Sequence, residues 1–414
     1  MKHHQIIIIG GGTGGIMVAA QLLNKNSQLD IALLEPSETH WYQPAWTLVG
    51  ANAYDYNKTK RSMASVMPKG VTWIKKYAAG FNPTQNSIDL ADGSQLSYDL
   101  LVVAPGIKID TSLIKGLPEA IDRGVVCSNY TNPNHTWEVI KNFKGGTALF
   151  TQPTTPIKCG GAPQKIMYLA DDAFRKSGVR NQSKVVFATP GTVIFGIKPI
   201  AETLMKVIQR KDINLRLGHK LVEIDNKNNI AWYEKAPHFG EQNPKNIEVI
   251  EDGDRIGIKY DMIHLAPPQT APDFVKNSVL ANDAGWMSVH KETMQHTQYK
   301  NIFGLGDVVG LPTAKTGAAI RKQVPVVVDN VLRMVAEKGI GDKAYDGYSS
   351  CPLVTGYGKM VLAEFDYDKN FVPDPKLKRM LVFNSDKEHW RLWMLKKHIL
   401  PYLYWNKMLK GVEV

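Results

Sequence analysis

The sequence predicts an α/β chain of two Rossmann-like dinucleotide-binding domains plus a C-terminal membrane-associating region. Three observations carry that expectation. The chain opens on a strand, a glycine-rich turn, a helix and a second strand in register. A second alternation of strands and helices runs from about residue 110 to 270. The tail beyond residue 387 interleaves Trp and Tyr with Lys and Arg.

Residues 5–9 (QIIII) read as a buried parallel strand, 14–24 (GGIMVAAQLLN) as a helix, and 31–35 (IALLE) as a second strand. The turn between them places Gly10, Gly12 and Gly15 in G-x-G-x-x-G spacing. Gly10 permits the tight turn, Gly12 lets backbone approach a pyrophosphate, and Gly15 lets the helix pack closely. Thr13 opens the helix, whose free N–H groups and dipole favour an anion. Glu35 lies about 20 residues beyond Gly15, where an acid accepts hydrogen bonds from ribose hydroxyls. Strand, turn, helix, strand and acid together predict dinucleotide binding.

Residues 87–106 (SIDLADGSQLSYDLLVVAPG) predict a hairpin turning at Asp92-Gly93 and a buried strand ending near Ala104. Next come strand 147–151, helix 164–178, strand 184–189, helix 198–210 and strand 213–217. Residues 231–258 are polar and read as a solvated, β-rich connection. Residues 301–323 give a strand, a Gly-Leu-Gly-Asp turn and a helix. In the tail, Pro401 is expected to divide two short helical patterns. Its basic and aromatic residues suit an interfacial membrane anchor; a packed C-terminal helix is the alternative.

Composition narrows the function. The chain has 414 residues, enough for two or three domains, and 43% are hydrophobic, enough for a real core. A net charge of +11 favours anionic partners, but no basic block or motif points to nucleic acid. No signal peptide and no spanning apolar run are read from the sequence. Three cysteines are too few for a disulfide scaffold; they are a redox pair plus one spare, or three buried small residues. No Cys or His pair has metal-ligand spacing, so no metal is expected.

Cys159 (PIKCGGAPQK) precedes a helix start with Pro163 in its first turn. Lys158 and Lys165 flank it, so its thiol should ionise easily. Cys351 (SSCPLV) reads as a loop residue with little local help. Their separation excludes the short C-x-x-C spacing of ordinary dithiol reductases. Cys127, in apolar GVVC, reads as a buried structural thiol. The second-domain turn (VVFATPGTVIFGIKPIAE) breaks the glycine pattern at Pro190, Thr192 and Phe195, which argues against NADH as electron donor.

The first glycine turn, VVAPG at 102–106 and GLGD at 304–307 together resemble flavoproteins with two dinucleotide-binding domains, which implies FAD at the first site. PIKCGGAPQKIMYLADDAFRKSG, VIFGIKPIAETL, NDAGWMSVHKETMQH, PTAKTGAA, YDGYSSCPLVTGYGKMVLAEFDY and LPYLYWNKMLKG resemble the sulfide:quinone oxidoreductase family over nearly the whole chain, most closely the branch with the mitochondrial enzyme. HWYQPAWTLVG resembles the family's segment beside the flavin.

The resemblance implies Cys159 and Cys351 as the catalytic pair, joined directly or through a bridging sulfur. Hydrosulfide would attack Cys351, Cys159 would donate into the flavin, and a persulfide would pass to sulfide, sulfite or a thiol. Electrons would leave to ubiquinone or another quinone. The implied cofactor-binding residues are Gly10, Gly12, Thr13, Gly15, Glu35, Gln43, Pro44, Ala104, Gly106, Gly306, Asp307 and Lys315, with FAD held non-covalently. Phe365, Tyr402 and Tyr404 are candidates to line a quinone slot. The expected division is 1–108 as the first part of the FAD-binding domain, 109–270 as the second domain, 271–345 as the FAD-domain return, and 346–414 as the quinone and membrane region. A peripheral protein of the bacterial inner membrane is expected, with a homo-oligomer left open. Two alternatives remain: a flavin-dependent NADH:quinone reductase and a non-catalytic flavin redox sensor.

Overall fold

The computed structural model describes residues 1–242 and 247–414. The polar stretch at 231–258 therefore lies partly outside the described residues. Among those described, two large sheets organise the chain. The first runs Val71–Ile74, Ile31–Leu34, Lys2–Ile9, Gln95–Val103, Ser87–Leu90 and Ala78–Asn82, with Ile302–Gly304 also paired to Gln95–Val103. Its centre is parallel: Ile6 stands beside Ile31 on one side and Leu100 on the other. Ile6, Ile7 and Ile8 are fully buried, so both sheet faces are covered, which is why this strand is a continuous apolar run. Burying each such side chain contributes about 1.5–3 kcal/mol. The Asp92-Gly93 hairpin forms as expected, joining Ser87–Leu90 to Gln95–Val103.

The second sheet runs Val126–Cys127, Met262–Leu265, Gly146–Thr151, Ser183–Thr189, Asn214–Asp225, Ile230–Gln242, Arg255–Lys259 and Val249–Asp252. The first five strands are parallel and the rest antiparallel. Helices Ala162–Ser177 and Lys198–Lys211 follow its central strands. Cys127 is buried in the short edge strand, its Sγ 3.4 Å from the Ile263 carbonyl, and burial pushes its pKa up. That setting matches a structural thiol.

Two local expectations are corrected. Cys351 is not in a loop: it lies inside strand Ser349–Gly356, opposite Ala363 of strand Lys359–Phe365. This sheet has only two strands, so Pro352, which has no N–H to give, is tolerated on an edge. Pro401 does not divide two helices. Helix Trp390–Met394 passes through a π-turn at Leu395–Ile399 into helix Leu400–Asn406, with Pro401 in its first turn. In the first turn of a helix a proline is tolerated, because its missing N–H is not needed there.

Candidate active site

Cys159 sits just ahead of helix Ala162–Ser177, whose Ala162 N–H donates to the Cys159 carbonyl at 2.7 Å. Its φ of 88° is left-handed, uncommon for a residue with a Cβ and typical of constrained functional sites. Gln269 accepts the N–H of Lys158 at 2.8 Å and fixes the preceding residue. The bend carries the sulfur to the Cys351 strand: Sγ to Sγ is 3.4 Å. Gly161 makes the approach fit. A Cβ there would lie 2.3 Å from Leu353 Cδ2 and 2.8 Å from Cys351 Sγ.

The pair is electrically unsymmetrical. Lys165 Nζ lies 2.9 Å from Cys159 Sγ, and the helix N-terminus adds its dipole. The hydrogen bond from Cys351, then Lys165, hold the Cys159 thiol well below its usual range against the opposing effect of burial. Cys351 is held well above its usual range by its hydrogen bond to Cys159 and by burial. Burial pulls Lys165 down, but the two sulfurs more than restore it. A second buried cation, Lys396, comes from the C-terminal π-turn; burial and the charge of Lys165 lower its pKa to about 7. Its Nζ donates to the Pro44 carbonyl at 3.2 Å.

Next to the cysteines, Lys158 bridges to Lys315, bringing the Cys159 loop against the segment after the Gly-Leu-Gly-Asp turn. Lys158 Nζ donates to the side chain of Gln43. Lys315 is buried, with Nζ 2.6 Å from the Asp307 carbonyl, 3.0 Å from the Val309 carbonyl and 3.8 Å from the Trp286 ring centre. Burial lowers its pKa to about 8, against the attraction of Asp307. Burial raises the Asp307 carboxyl, with Lys315 and Lys158 pulling the other way. A small cleft here, about 10 Å³, is lined by Gly306, Asp307, Lys315, Thr316 and Gln323. Gln323 accepts the Gly306 N–H at 2.8 Å.

The glycine turn lies at the mouth of the first sheet. Gly10 has φ 99°, and Gly15 is so close that a Cβ would lie 1.9 Å from the Gly10 carbonyl oxygen. At Gly12, by contrast, a Cβ would meet nothing within 4 Å. Open space there, ahead of helix Thr13–Lys25, is a cradle that a pyrophosphate fits. Gly106 also faces open space, and Ala104 donates its N–H to the Ile9 carbonyl at 2.8 Å. Glu35 accepts the N–H of Gly11 and of Ser37, both at 2.8 Å, so this acid also shapes the turn. These residues fit a dinucleotide with an anionic bridge.

The three aromatic candidates occupy three environments. Phe365 packs edge-on to Phe195, 6.4 Å between centres, in the apolar cluster that also holds Cys351 and Trp393. Tyr402 is exposed and lines an open cavity of about 1130 Å³ with Tyr54, Tyr56, Trp137 and Trp405. Tyr404 is buried against the glycine turn, its hydroxyl 2.9 Å from Thr13 Oγ1 and 2.6 Å from His40 Nε2. Sequence reasoning missed His40 and Lys396. Lys396 was legible: it falls three and four residues after Trp393 and Leu392, on their buried face. His40 carries no spacing signal. Among the described residues no cluster of His, Cys, Asp or Glu is placed to hold a metal, and no helix is long and apolar enough to cross a membrane.

Comparison with known proteins adds the relatives. Residues 4–140 match the family model described as pyridine nucleotide-disulphide oxidoreductase. Mitochondrial sulfide:quinone oxidoreductase of Mus musculus is 41% identical, covering 99% of this chain and 87% of that protein. The Dictyostelium discoideum protein of the same name is 40% identical, covering 98% and 86%. The solved sulfide:quinone oxidoreductase of Aquifex aeolicus is similar in fold, with a TM-score of 0.76 at 19% identity, covering 100% of this chain and 92% of that one.

Proposed function

This chain belongs to the sulfide:quinone oxidoreductase family, and on that premise we propose that Cys159 and Cys351 are its sulfur-handling pair beside a non-covalent FAD. The reaction oxidises hydrogen sulfide and delivers two electrons to a quinone. The observation that carries the residue assignment is the 3.4 Å approach of the two sulfurs with Lys165 at 2.9 Å from one of them. That gap exceeds a direct S–S bond of about 2.05 Å, so the pair described is the reduced one, two free thiols in contact.

Starting from the oxidised pair, hydrosulfide attacks the Cys351 sulfur. The bond to Cys159 breaks and its electrons leave with Cys159 as a thiolate. Cys159 is the better leaving group because Lys165 and the helix dipole stabilise its anion, and a low-pKa thiol leaves faster. Cys351 is left as a persulfide. A nucleophilic acceptor (sulfide, sulfite or a thiol) takes the outer sulfur and frees the Cys351 thiolate. Rejoining the two thiolates releases two electrons. When bound, a flavin would supply the two-electron acceptor for that step and the route by which the pair reaches quinone. Lys315 and Asp307 would bind and orient it, with the glycine turn, Glu35, Ala104, Gly106, Gly306, Gln43 and Pro44 completing the cofactor site.

Residues 1–108 and 271–345 are read as one flavin-binding unit, since Ile302–Gly304 returns to the strand Gln95–Val103. Residues 109–270 form the second unit and 346–414 the quinone and membrane region. An NADH-linked reading is not favoured: the turn after Ser183–Thr189 folds onto the neighbouring helix, where Gln164 donates to the Ile194 carbonyl at 2.6 Å. Peripheral membrane binding is supported by exposed Leu381, Phe383, Trp390, Met394 and Tyr402. The mitochondrial names of the relatives leave the bacterial inner membrane unsupported as the compartment. Phe365 and Tyr402 are the quinone contacts this reading favours.

Purified protein should be yellow, with its flavin released by heat or acid. Cys159→Ser and Cys351→Ser should each abolish sulfide oxidation. Full activity in either variant would remove that cysteine from the reaction.

A further inference from the structure

The C-terminal segment reaches far from its own helix contacts to the loop that cradles the dinucleotide. Tyr404 is buried there, between His40 and Thr13. His40 Nδ1 is 3.0 Å from the Gly11 carbonyl oxygen. The direction of every proton in this chain follows from one fact: a carbonyl can only accept. His40 Nδ1 must therefore carry the hydrogen given to Gly11. Burial keeps the ring neutral, so Nε2 is bare and accepts from the Tyr404 hydroxyl. The Tyr404 oxygen is then free to accept from the Thr13 hydroxyl. The tautomer is assigned by this network. Each donor has one acceptor, and the chain begins and ends on the glycine turn.

Packing holds the chain in place. Tyr404 lies 4.6 Å from the Tyr42 ring, and Trp405 meets His40 edge-on at 5.8 Å, with Arg61 4.8 Å from the Trp405 ring centre. Farther along, Asn24 donates to the Lys410 carbonyl at 2.9 Å, and a Cβ on Gly411 would lie 2.8 Å from the Ala20 backbone. The segment thus follows the first helix from its N-terminus, where pyrophosphate is expected, to its far end.

We propose that Tyr404 and His40 are positioning residues of the cofactor loop, a latch by which the C-terminal helix sets the affinity for FAD. This rests on the flavin reading above. A glycine-rich turn loses much conformational freedom when it orders around a ligand, and a pre-formed turn avoids that loss. Holding Gly11 by its carbonyl and Thr13 by its hydroxyl forms the turn in advance. Linkage makes the effect reciprocal: bound FAD must hold the C-terminal helix more firmly.

The test uses full-length protein stripped of flavin and titrated with FAD, followed by quenching of flavin fluorescence. Tyr404→Phe removes one oxygen and keeps the ring. It should weaken FAD binding about tenfold, and the melting temperature of the stripped protein should fall only modestly, since the ring stays packed and two hydrogen bonds are lost. Tyr77→Phe, at an exposed tyrosine, should bind as the parent does. Hydrogen exchange of the unaltered protein needs no variant: FAD should slow exchange across residues 400–411. Equal FAD affinity in Tyr404→Phe and parent, or exchange at 400–411 indifferent to FAD, would overturn the latch. A parent protein that binds no FAD would instead remove the flavin reading beneath it.

Discussion

Lys165 decides which sulfur carries the negative charge. Its Nζ is 2.9 Å from Cys159, inside a site with little water to screen it. Replacing it as Lys165→Met should slow sulfide-driven flavin reduction at neutral pH about a hundredfold, since charge-assisted contacts of this kind are worth about 1.5–3 kcal/mol. The rate should recover as pH rises, because the Cys159 thiol would then ionise without help. Stopped-flow traces across pH 6–10 measure this, and a pH-independent loss would contradict it. Glycines give a second test. Gly12→Ala puts a methyl into open space, so the flavin-free fold should keep its stability while FAD binding falls. Gly15→Ala drives a methyl against the Gly10 carbonyl and should destabilise the fold itself. Comparing melting temperature with FAD affinity separates the two.

At the scale of elements, the Cys159 bend and the Cys351 hairpin must meet across Gly161. Gly161→Ala should push the hairpin away through Leu353 and Cys351, leaving a folded, flavin-loaded protein with sulfide turnover reduced about a hundredfold or more. Near-normal turnover would show that the hairpin can yield. Much of this was legible in the sequence. Glycine spacing, the acid at Glu35 and the Asp92-Gly93 turn each act through near neighbours, and local chemistry is what a sequence displays. Cys351 was misread because the strand that pairs it, Lys359–Phe365, is what makes Ser349–Gly356 a strand. Pro401 was misread because the π-turn before it is set by packing, not by propensity. Lys396 reads with the basic residues of the membrane-anchor pattern, although its spacing from Leu392 and Trp393 puts it on their buried face.

Across the whole molecule, four buried histidines link stability to pH, and burial lowers His296 among them. Burial lowers His40 and His219 to about 4 and His264 to about 3, from 6.5 in the unfolded chain. Above pH 6.5 both states hold them neutral. Below it the unfolded state takes up protons that the folded state refuses, so stability falls, by at most about 1.4 kcal/mol per pH unit for each histidine. The melting temperature should decline from pH 6.5 to 5; a rise over that window would contradict these shifts. The central claim joins both sheets, the hairpin and the C-terminal segment around one pair of sulfurs. The measurement that tests it most directly is an anaerobic sulfide titration of the flavin-loaded protein, followed by absorbance. Sulfide should bleach the flavin in the parent, NADH should not, and short-chain quinone should restore the colour. Bleaching by sulfide that survives unchanged in Cys159→Ser and Cys351→Ser, or bleaching by NADH alone, would contradict the account.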